Sequence, residues 1–232
     1  MGKGLIILVL VVAASMRVEG KPFAEGFRLD VERASLGVER ASLGADTTRR
    51  LTLYDTLSFE LRNINYNDQR YRLQLDDTTR RYGANSKQVN RLMSKMAVAD
   101  SLNLRKVSAM IDKYGWLGPD QVGSDESAAQ FFVIQHADSG VQVHYLPVVV
   151  EAVKEGKAKA RWLALLEDRI AIRRGRKQRY GTQLSYPGYA VLPLENRDSV
   201  DVWRAAMGLS SLADYLKSCC NVDSVIIQKQ MR

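Results

Sequence analysis

Two stretches of the sequence are apolar around the whole circumference of the helix that each would form. Residues 128–138 include the run Phe131–Ile134, and residues 162–172 include the run Leu163–Leu166. Because successive helical residues point about 100° apart, four apolar residues in a row leave no polar side. Gly140 is expected to end the first of these helices. Helices of this kind belong inside a core, so the sequence predicts two central helices that pack against each other.

The remaining helices are predicted from apolar residues at helical spacing. Leu57, Leu61 and Ile64 belong to one such stripe at the start of the domain. A turn is expected near Asp100, and Pro147 is expected to kink or restart the helix that contains it. The predicted helices cover residues 51–76, 86–99, 102–114, 141–154, 200–207 and 211–218.

Beyond the second central helix the pattern changes from helical to extended. Residues 178–184 and 189–194 are predicted as strands, joined by a turn at Tyr186-Pro187-Gly188. The predicted fold class is therefore mainly α: a single helical domain with two central apolar helices and a short β-hairpin near the C-terminal third.

The N-terminus has the pattern of a secretory signal peptide. Lys3 precedes an unbroken apolar run, Leu5–Ala14, and Val18–Gly20 offers a region that a signal peptidase could cleave. The run is about 10 residues long, which is too short to span a hydrocarbon core of ~30 Å. A retained membrane anchor is the alternative. The pattern favours an exported protein, periplasmic or extracellular, whose mature chain has no transmembrane anchor.

A duplicated heptad follows this segment. Residues 31–37 read Val-Glu-Arg-Ala-Ser-Leu-Gly, and residues 38–44 repeat them. Two copies that each end in glycine make a poor coiled coil, so the repeat is interpreted as part of a linker. The predicted organisation is a signal peptide over residues 1–20, a linker over 21–50, a helical domain over 51–218 and a C-terminal tail over 219–232.

The net charge and the cysteine content exclude few classes of function. The formal charge is +8, and loss of Lys3, Arg17 and Glu19 with the signal peptide would leave +7. A basic protein of this kind suits an acidic polymer or a small anion as partner. Cys219 and Cys220 are the two cysteines of the chain. Neighbouring cysteines close a strained ring when they pair, so a stabilising bridge between them is not expected.

Six short motifs stand in order between residues 102 and 183. They are Asp112–Trp116, Val122-Gly123, Gln135–Asp138, Tyr145–Pro147, Ala164–Arg169 and Gln178–Gln183. Together these motifs resemble a bacterial family, the domain of unknown function numbered 6624. The family has no assigned activity, so the resemblance implies no reaction, no cofactor and no site residue.

His136 is the first candidate for chemistry. It projects between Ala129 and Phe132 on the first central helix, so it should face other side chains rather than water. Its ordinary pKa of about 6.5 suits a general acid or base. A core histidine bonded to a carbonyl or a carboxylate is the alternative. Asp138, about 200° round the same helix, is predicted to bind substrate rather than to share a ligand with His136.

Glu167, Asp168 and Arg169 are the second group of candidates. As consecutive helical residues they point in different directions, so Asp168 and Arg169 each need a partner elsewhere. One hypothesis pairs Asp168 or Glu167 with His136 as a catalytic acid–base pair, with Arg169 binding substrate. A structural salt bridge that locks the helices together is the alternative.

Gln178, Tyr180 and Gln183 are predicted to bind substrate from the hairpin. Alternate residues of a strand share a face, and two amides with a phenol suit a sugar, a peptide or a nucleotide edge. The same groups also suit an ordinary hairpin that is hydrogen-bonded to the helical core, and the sequence leaves both interpretations open.

Residues 173–179 contain five positive side chains in seven positions. Export argues against nucleic acid as the partner, and no stacking-aromatic pattern accompanies this run. With His136 and His144 as the two histidines and no cysteine ligand cluster, the sequence predicts no metal site and no cofactor. The sequence is compatible with a metal-independent hydrolase or transferase acting on an envelope or extracellular polymer, or with a non-catalytic binding or structural envelope protein.

Overall fold

The structure is a computed structural model that describes residues 52–185 and 189–228. It also places two strands of two residues, β1 (Arg17–Val18) and β2 (Lys21–Pro22), which pair antiparallel. Apart from these four residues, the predicted signal peptide, linker and duplicated heptad lie outside the described residues. The helices are α1 (Leu53–Tyr82), α2 (Lys87–Tyr114), α3 (Pro119–Val122), α4 (Ser124–His136), α5 (Ser139–Lys154), α6 (Ala160–Arg173), α7 (Val200–Ala206) and α8 (Leu212–Cys220).

The long helix α1 begins at a capping box. The Thr52 hydroxyl accepts a hydrogen bond from the Asp55 N–H at 3.1 Å, and the Asp55 carboxylate accepts one from the Thr52 N–H at 2.9 Å. These contacts satisfy donors that a helix start leaves open. Further along, α1 buries the face that carries Leu57, Leu61 and Ile64. This face packs against α2 and α4, so α1 forms one wall of the core.

Helix α2 is continuous, and the turn predicted near Asp100 is wrong. Asp100 occupies an interior position of the helix. Its carboxylate accepts hydrogen bonds from Nη2 of Arg72 on α1 at 2.7 and 2.8 Å. An aspartate favours a turn when its side chain bonds to the local backbone. Here the side chain is held by the neighbouring helix instead, so the backbone of α2 continues.

The centre of the domain is α4. All ten residues from Glu126 to Gln135 are buried, and the ring of Phe131 stacks on that of Trp162 of α6 with the centroids 5.4 Å apart. Within the described residues, none of the helices combines the length and the apolarity that crossing a membrane requires. The prediction of a mainly α fold in a single helical domain is confirmed.

The boundary between α4 and α5 differs from the prediction. Helix α4 ends at His136, and Gly140 lies inside α5 rather than ending α4. The carboxylate of Asp138 caps α5 by accepting a hydrogen bond from the Val141 N–H at 3.0 Å. Helix α5 then passes through Pro147 as one element. A side-chain cap, rather than a glycine, therefore sets this boundary.

The predicted β-hairpin is not supported. Residues 178–185 and 189–194, the described parts of this region, make isolated bridges and contain no strand. The physical reason is competition for backbone donors. The N–H groups of Arg179, Tyr180 and Thr182 all donate to the carboxylate of Asp168. Donors that are bound to one side chain are not available for a ladder with a neighbouring strand.

The C-terminal segment packs onto a second, smaller apolar cluster. The backbone of Val191 accepts a hydrogen bond from the Gln228 N–H and donates one to the Ile226 carbonyl, both at 2.8 Å. The residues that we predicted as a tail, as far as they are described, therefore cover this cluster. Its buried members are Leu184, Val191, Leu194, Val200, Leu212, Tyr215 and Leu216.

Cys219 and Cys220 form a disulfide at the end of α8. The two neighbours are therefore bridged, and the expectation that such a bridge does not stabilise the fold stays a prediction. The pair lies at the last helical residues, and Asn221 turns the chain with a left-handed φ of 54°. The ring therefore has to be accommodated only by the final turn of the helix.

Candidate functional site: two buried polar clusters

Two clusters of buried polar side chains lie beside the central helices. The first, named here the Asp168 loop, comprises Asp168 of α6 and residues 178–183. The second, named here the His136 cluster, comprises His136 of α4 with Asp68, Arg72 and Asp100. Sequence reasoning singled out His136 and Asp168, and one hypothesis paired His136 with Asp168 or Glu167. The hydrogen bonds of the structure give each of them other partners.

The carboxylate of Asp168 is surrounded by donors from the chain that follows α6. It accepts hydrogen bonds from the N–H groups of Arg179 (2.8 Å), Tyr180 (3.0 Å) and Thr182 (2.9 Å), and from the Thr182 hydroxyl (2.9 Å). Gly181, at φ 68°, lets the backbone curl around the carboxylate. Burial raises the pKa of Asp168 to about 6, although these hydrogen bonds act in the opposite direction. At neutral pH the loop is folded around an ionised carboxylate.

The amides of Gln178 and Gln183, which we predicted to bind substrate, are used within the loop. Nε2 of Gln178 donates to the carbonyls of Gln183 and Leu192 at 2.8 and 2.9 Å, and its Oε1 accepts from the Gln183 N–H at 2.8 Å. Nε2 of Gln183 donates to the hydroxyl of Thr182 at 3.0 Å. Both glutamines are buried. These contacts are those of a loop stabilised by its own side chains.

Arg204 of α7 holds the same loop from the other side. Its Nη1 donates to the Tyr180 carbonyl and its Nε to the Ser210 carbonyl, both at 2.6 Å. The guanidinium lies 4.9 Å from the centroid of the Tyr215 ring. Sequence reasoning missed this residue. Its partners are backbone carbonyls, which every residue has, so no acidic residue in the sequence could have indicated that Arg204 is buried and paired.

Glu167 lies beside a cavity that Asp168 of the Asp168 loop also lines. Its carboxylate accepts a hydrogen bond from the Tyr180 hydroxyl at 3.1 Å. Burial, followed by the negative charge of Glu167, raises the pKa of Tyr180 to about 12. The cavity has a volume of about 560 Å³, and Arg179 and Glu195 also line it. Glu167 is therefore the predicted catalytic residue that a ligand in this cavity would meet most directly.

The His136 cluster is centred on a carboxylate–imidazole pair. Nδ1 of His136 lies 3.0 Å from Oδ1 of Asp68, and Nη1 of Arg72 lies 3.0 Å from the same oxygen. Nη2 of Arg72 continues to the carboxylate of Asp100. The side chains of His136 and Asp68 are 5% and 1% exposed. The result is a buried chain of alternating acceptors and donors that joins α4 to α1 and α2.

The charges of this cluster favour a neutral histidine next to an ionised aspartate. Burial lowers the pKa of His136, and the positive charge of Arg72 lowers it further. Burial alone would raise the pKa of Asp68, but the hydrogen bond from His136 and the positive charge of Arg72 outweigh that effect and hold this pKa below its ordinary value. With Nδ1–H donating to Asp68, the second ring nitrogen, Nε2, carries the lone pair.

Several buried polar atoms around the His136 cluster have no hydrogen-bond partner among the described residues. They are both amide atoms of Gln135, Oε1 of Gln69, Oε1 of Gln142 and Nε of Arg72. Gln69 belongs to the surroundings of the cluster because its Nε2 donates to Asp68 at 2.7 Å. Each such atom costs about 1–3 kcal/mol when it stays unsatisfied. Their concentration here marks a place for bound water or for a polar ligand.

Arg169 and Asp138, both predicted to bind substrate, lie near the end of α4. Nη1 of Arg169 donates to the Gln135 carbonyl at 3.2 Å. Burial, followed by the charge of Arg173, lowers the pKa of Arg169 to about 9, so it remains a cation at neutral pH. Asp138 is exposed and caps α5. Of these two, Arg169 borders the backbone that carries His136.

Sequence reasoning missed Asp68, Arg72 and Asp100, although a signal was present. The buried stripe of α1 continues from Leu57, Leu61 and Ile64 to positions 68, 72 and 75 at the same helical spacing. Two of these positions carry an aspartate and an arginine. Charged residues on an otherwise apolar stripe indicate a buried polar cluster, whereas we extended the stripe through apolar side chains.

Comparison with known proteins adds family membership and nothing on activity. A family model with the description "Family of unknown function (DUF6624)" matches residues 55–226, which include both polar clusters. Comparisons with curated proteins and with solved structures give no match. Because the match extends over well more than half of the chain, the protein belongs to the family of unknown function DUF6624.

Proposed function

We propose that the protein is an exported, metal-independent hydrolase or transferase that acts on an envelope or extracellular polymer, with His136 as the residue that moves the proton. One observation carries the proposal. Nδ1 of His136 is paired with Asp68 at 3.0 Å, which leaves Nε2 as the ring nitrogen outside this pair. A neutral imidazole held in one tautomer by a carboxylate is the arrangement that a general base requires.

The proposed proton transfer uses only this pair and the substrate. Nε2 of His136 takes a proton from a water or hydroxyl nucleophile as that oxygen bonds to the electrophilic carbon of the substrate. The imidazolium is stabilised by Asp68 and then returns the proton to the leaving-group oxygen as its bond to carbon breaks. With water as nucleophile the reaction is hydrolysis, and with a hydroxyl group it is transfer.

The other residues of our predicted site take separate roles in this proposal. Asp168 is a positioning residue that shapes the loop after α6, rather than the partner of His136. Glu167, which accepts a hydrogen bond from Tyr180, lines the cavity beside that loop and contacts the substrate there. Arg169 supports an anionic substrate group through its buried positive charge. An acidic envelope polymer fits the formal charge of +7 that loss of the signal peptide would leave from +8.

A non-catalytic binding or structural role is the second candidate, and burial favours it. The side chain of His136 is 5% exposed and that of Asp68 is 1% exposed. A general base must come within hydrogen-bond reach of its substrate, so catalysis requires the end of α4 to open. If it never opens, the His136 cluster only fixes the packing of α1 against α4.

The test is an activity screen on purified bacterial envelope polymers with a matched histidine control. We expect the wild-type protein to release reducing ends or free carboxylates, His136→Asn to lose at least about 100-fold in kcat, and His144→Asn to retain activity. His144 is exposed and belongs to neither cluster. Thermal melting of all three proteins verifies folding. A folded His136→Asn variant with full activity, or an inert wild-type protein, would overturn the enzymatic proposal in favour of the second candidate.

Export is tested separately by the intact mass of the protein recovered from the cell envelope and medium. We expect a mature chain that begins near Lys21. A full-length product retained in the cytoplasm would contradict the proposed export and, with it, the polymer substrate.

A further inference from the structure

A groove between α1 and α2 has the features of a ligand site, and it lies outside both polar clusters. Its volume is about 540 Å³, within the range of small-molecule sites. Four cations line it, and no aspartate or glutamate does so among the described residues. These cations are Arg70, Arg91, Lys95 and Lys106.

The positive charge is concentrated at one end of the groove. Lys106 at the other end is paired with Glu60. Arg70 lies 4.5 Å from the centroid of the Tyr71 ring, and Lys95 lies 5.8 Å from the same centroid. Aromatic faces orient these cations without neutralising their charge. Arg91 makes no ion pair with the described residues. Arg70, Arg91 and Lys95 therefore form a cationic end, and no counter-ion for it lies in the part of the chain that the structure describes.

Arg70 also carries a buried atom with an unused donor. Its Nε is enclosed and has no hydrogen-bond partner among the described residues. A guanidinium presents its donors as a fork that suits a carboxylate or a phosphate. The cationic end thus offers both the charge and the directional donors for one anionic group.

The middle of the groove is apolar and open to solvent. Val98 and Leu102 are 62% and 46% exposed, and they stand four residues apart on one face of α2. From Lys95 to Leu102 the helix rises by about 10 Å. An aliphatic chain lying along this strip would cover apolar surface that is otherwise in contact with water, while its head group meets the cationic end.

We propose that the groove binds a single-chain amphiphile with an anionic head group, a carboxylate or a phosphate. The head group bonds to Arg70, Arg91 and Lys95, and the aliphatic chain lies over Val98 and Leu102. A polyanion would satisfy the cations and leave the apolar strip uncovered. The amphiphile satisfies both, and the site is independent of the chemistry proposed for His136.

The experiment is calorimetric titration of the full chain with dodecyl phosphate and with dodecanoate, both below their micellar concentrations. We expect saturable binding with one site per chain. Arg91→Glu and Lys95→Glu should each weaken binding by about tenfold or more, because a charged hydrogen bond is replaced by repulsion. Leu102→Ser should weaken it through the aliphatic chain. Arg105→Glu is the matched control, since Arg105 is exposed on the same helix and does not line the groove.

Further titrations distinguish the proposed ligand from other sources of the same chemistry. Binding of dodecyltrimethylammonium as tight as that of dodecyl phosphate would overturn the role of the cationic end. Inorganic phosphate that binds as tightly as dodecyl phosphate would overturn the role of the apolar strip. Binding to vesicles of phosphatidylglycerol without binding of the free amphiphiles would assign the surface to membranes and overturn the proposed small-molecule site. A double variant, Arg91→Glu/Lys95→Glu, that melts like wild type and still binds normally would also refute it.

Discussion

The two polar clusters contain similar residue types but differ in how many of their buried polar atoms have hydrogen-bond partners. In the Asp168 loop the carboxylate of Asp168 accepts hydrogen bonds from four donors. The side-chain amide of Gln178 donates to the Gln183 carbonyl within the same loop. Around His136 the amide of Gln135 and one oxygen each of Gln69 and Gln142 are buried without a partner among the described residues. The first arrangement is complete by itself. The second leaves buried polar atoms for water or a polar ligand to satisfy, which supports the role proposed for His136.

The largest effect is expected from removing the centre of the complete cluster. Asp168→Ala leaves the buried N–H groups of Tyr180 and Thr182 without an acceptor, and each costs about 1–3 kcal/mol, so a loss of roughly 2–6 kcal/mol in unfolding free energy is expected. Chemical denaturation measures it. Leu166→Ala, a core truncation on the same helix, should cost a comparable 2–5 kcal/mol and calibrates the scale. A midpoint for Asp168→Ala near that of wild type would mean that the loop does not depend on its carboxylate.

The second-largest effect is on the pH dependence of the unfolding free energy, to which His136 and Asp168 contribute with opposite signs. The pKa of His136 is lowered by burial, so the unfolded chain binds more protons than the folded chain once the pH falls below about 6.5. Stability contributed by His136 is therefore present above that pH and is lost on acidification. The pKa of Asp168 is raised to about 6, so its contribution is present below its ordinary value of 3.8 and is lost as the pH rises to 6.

The measurement is the unfolding free energy from pH 7.5 to 5 for wild type, His136→Gln and the control His144→Gln. The slope for wild type and the control should exceed that of His136→Gln by up to about 1.4 kcal/mol per pH unit. Equal slopes for all three proteins would show that His136 titrates in the folded chain as it does in water, and would remove the basis for a buried neutral base.

A smaller effect is expected where the Asp168 loop meets the cavity. Tyr180→Phe removes the hydroxyl that donates to Glu167 at 3.1 Å and keeps the ring. Because Glu167 is partly exposed and can bond to water instead, a loss of about 0.5–1.5 kcal/mol is expected. Double-mutant cycles with Glu167→Gln measure the coupling. A coupling energy of zero would show that the hydrogen bond between Tyr180 and Glu167 does not contribute to stability.

The smallest effect should come from making the incomplete cluster apolar. The combined variant Asp68→Leu/Arg72→Met/His136→Leu removes the enclosed part of the cluster together, and such replacements are often neutral or stabilising. Asp100 loses Arg72, but its side chain is 30% exposed and can bond to water. We expect a melting temperature close to that of wild type together with loss of the proposed activity. A strongly destabilised triple variant would indicate that the His136 cluster, like the Asp168 loop, serves the fold.

Most of the helices could be predicted from the sequence. The hydrogen-bond partners of their buried polar residues could not. Apolar spacing located α1, α4 and α6 because burial of one face or of all faces leaves a local periodic record. The partner of His136 lies 68 residues away, and no local pattern encodes that distance. The turn at Asp100 and the hairpin after residue 178 failed for one shared reason. In both places a side chain on another element changes the hydrogen bonds that local propensity would favour.

The two carboxylate contacts also differ in the length of chain that must close before they form. Asp168 meets its donors within 14 residues, whereas His136 and Asp68 are 68 residues apart. Short loops close at lower entropic cost and sooner than long ones. During folding the Asp168 loop can therefore assemble as a local unit at the end of α6, and the His136–Asp68 contact must wait until α1 docks. In unfolding the order is reversed, and Asp68 separates from His136 when α1 undocks.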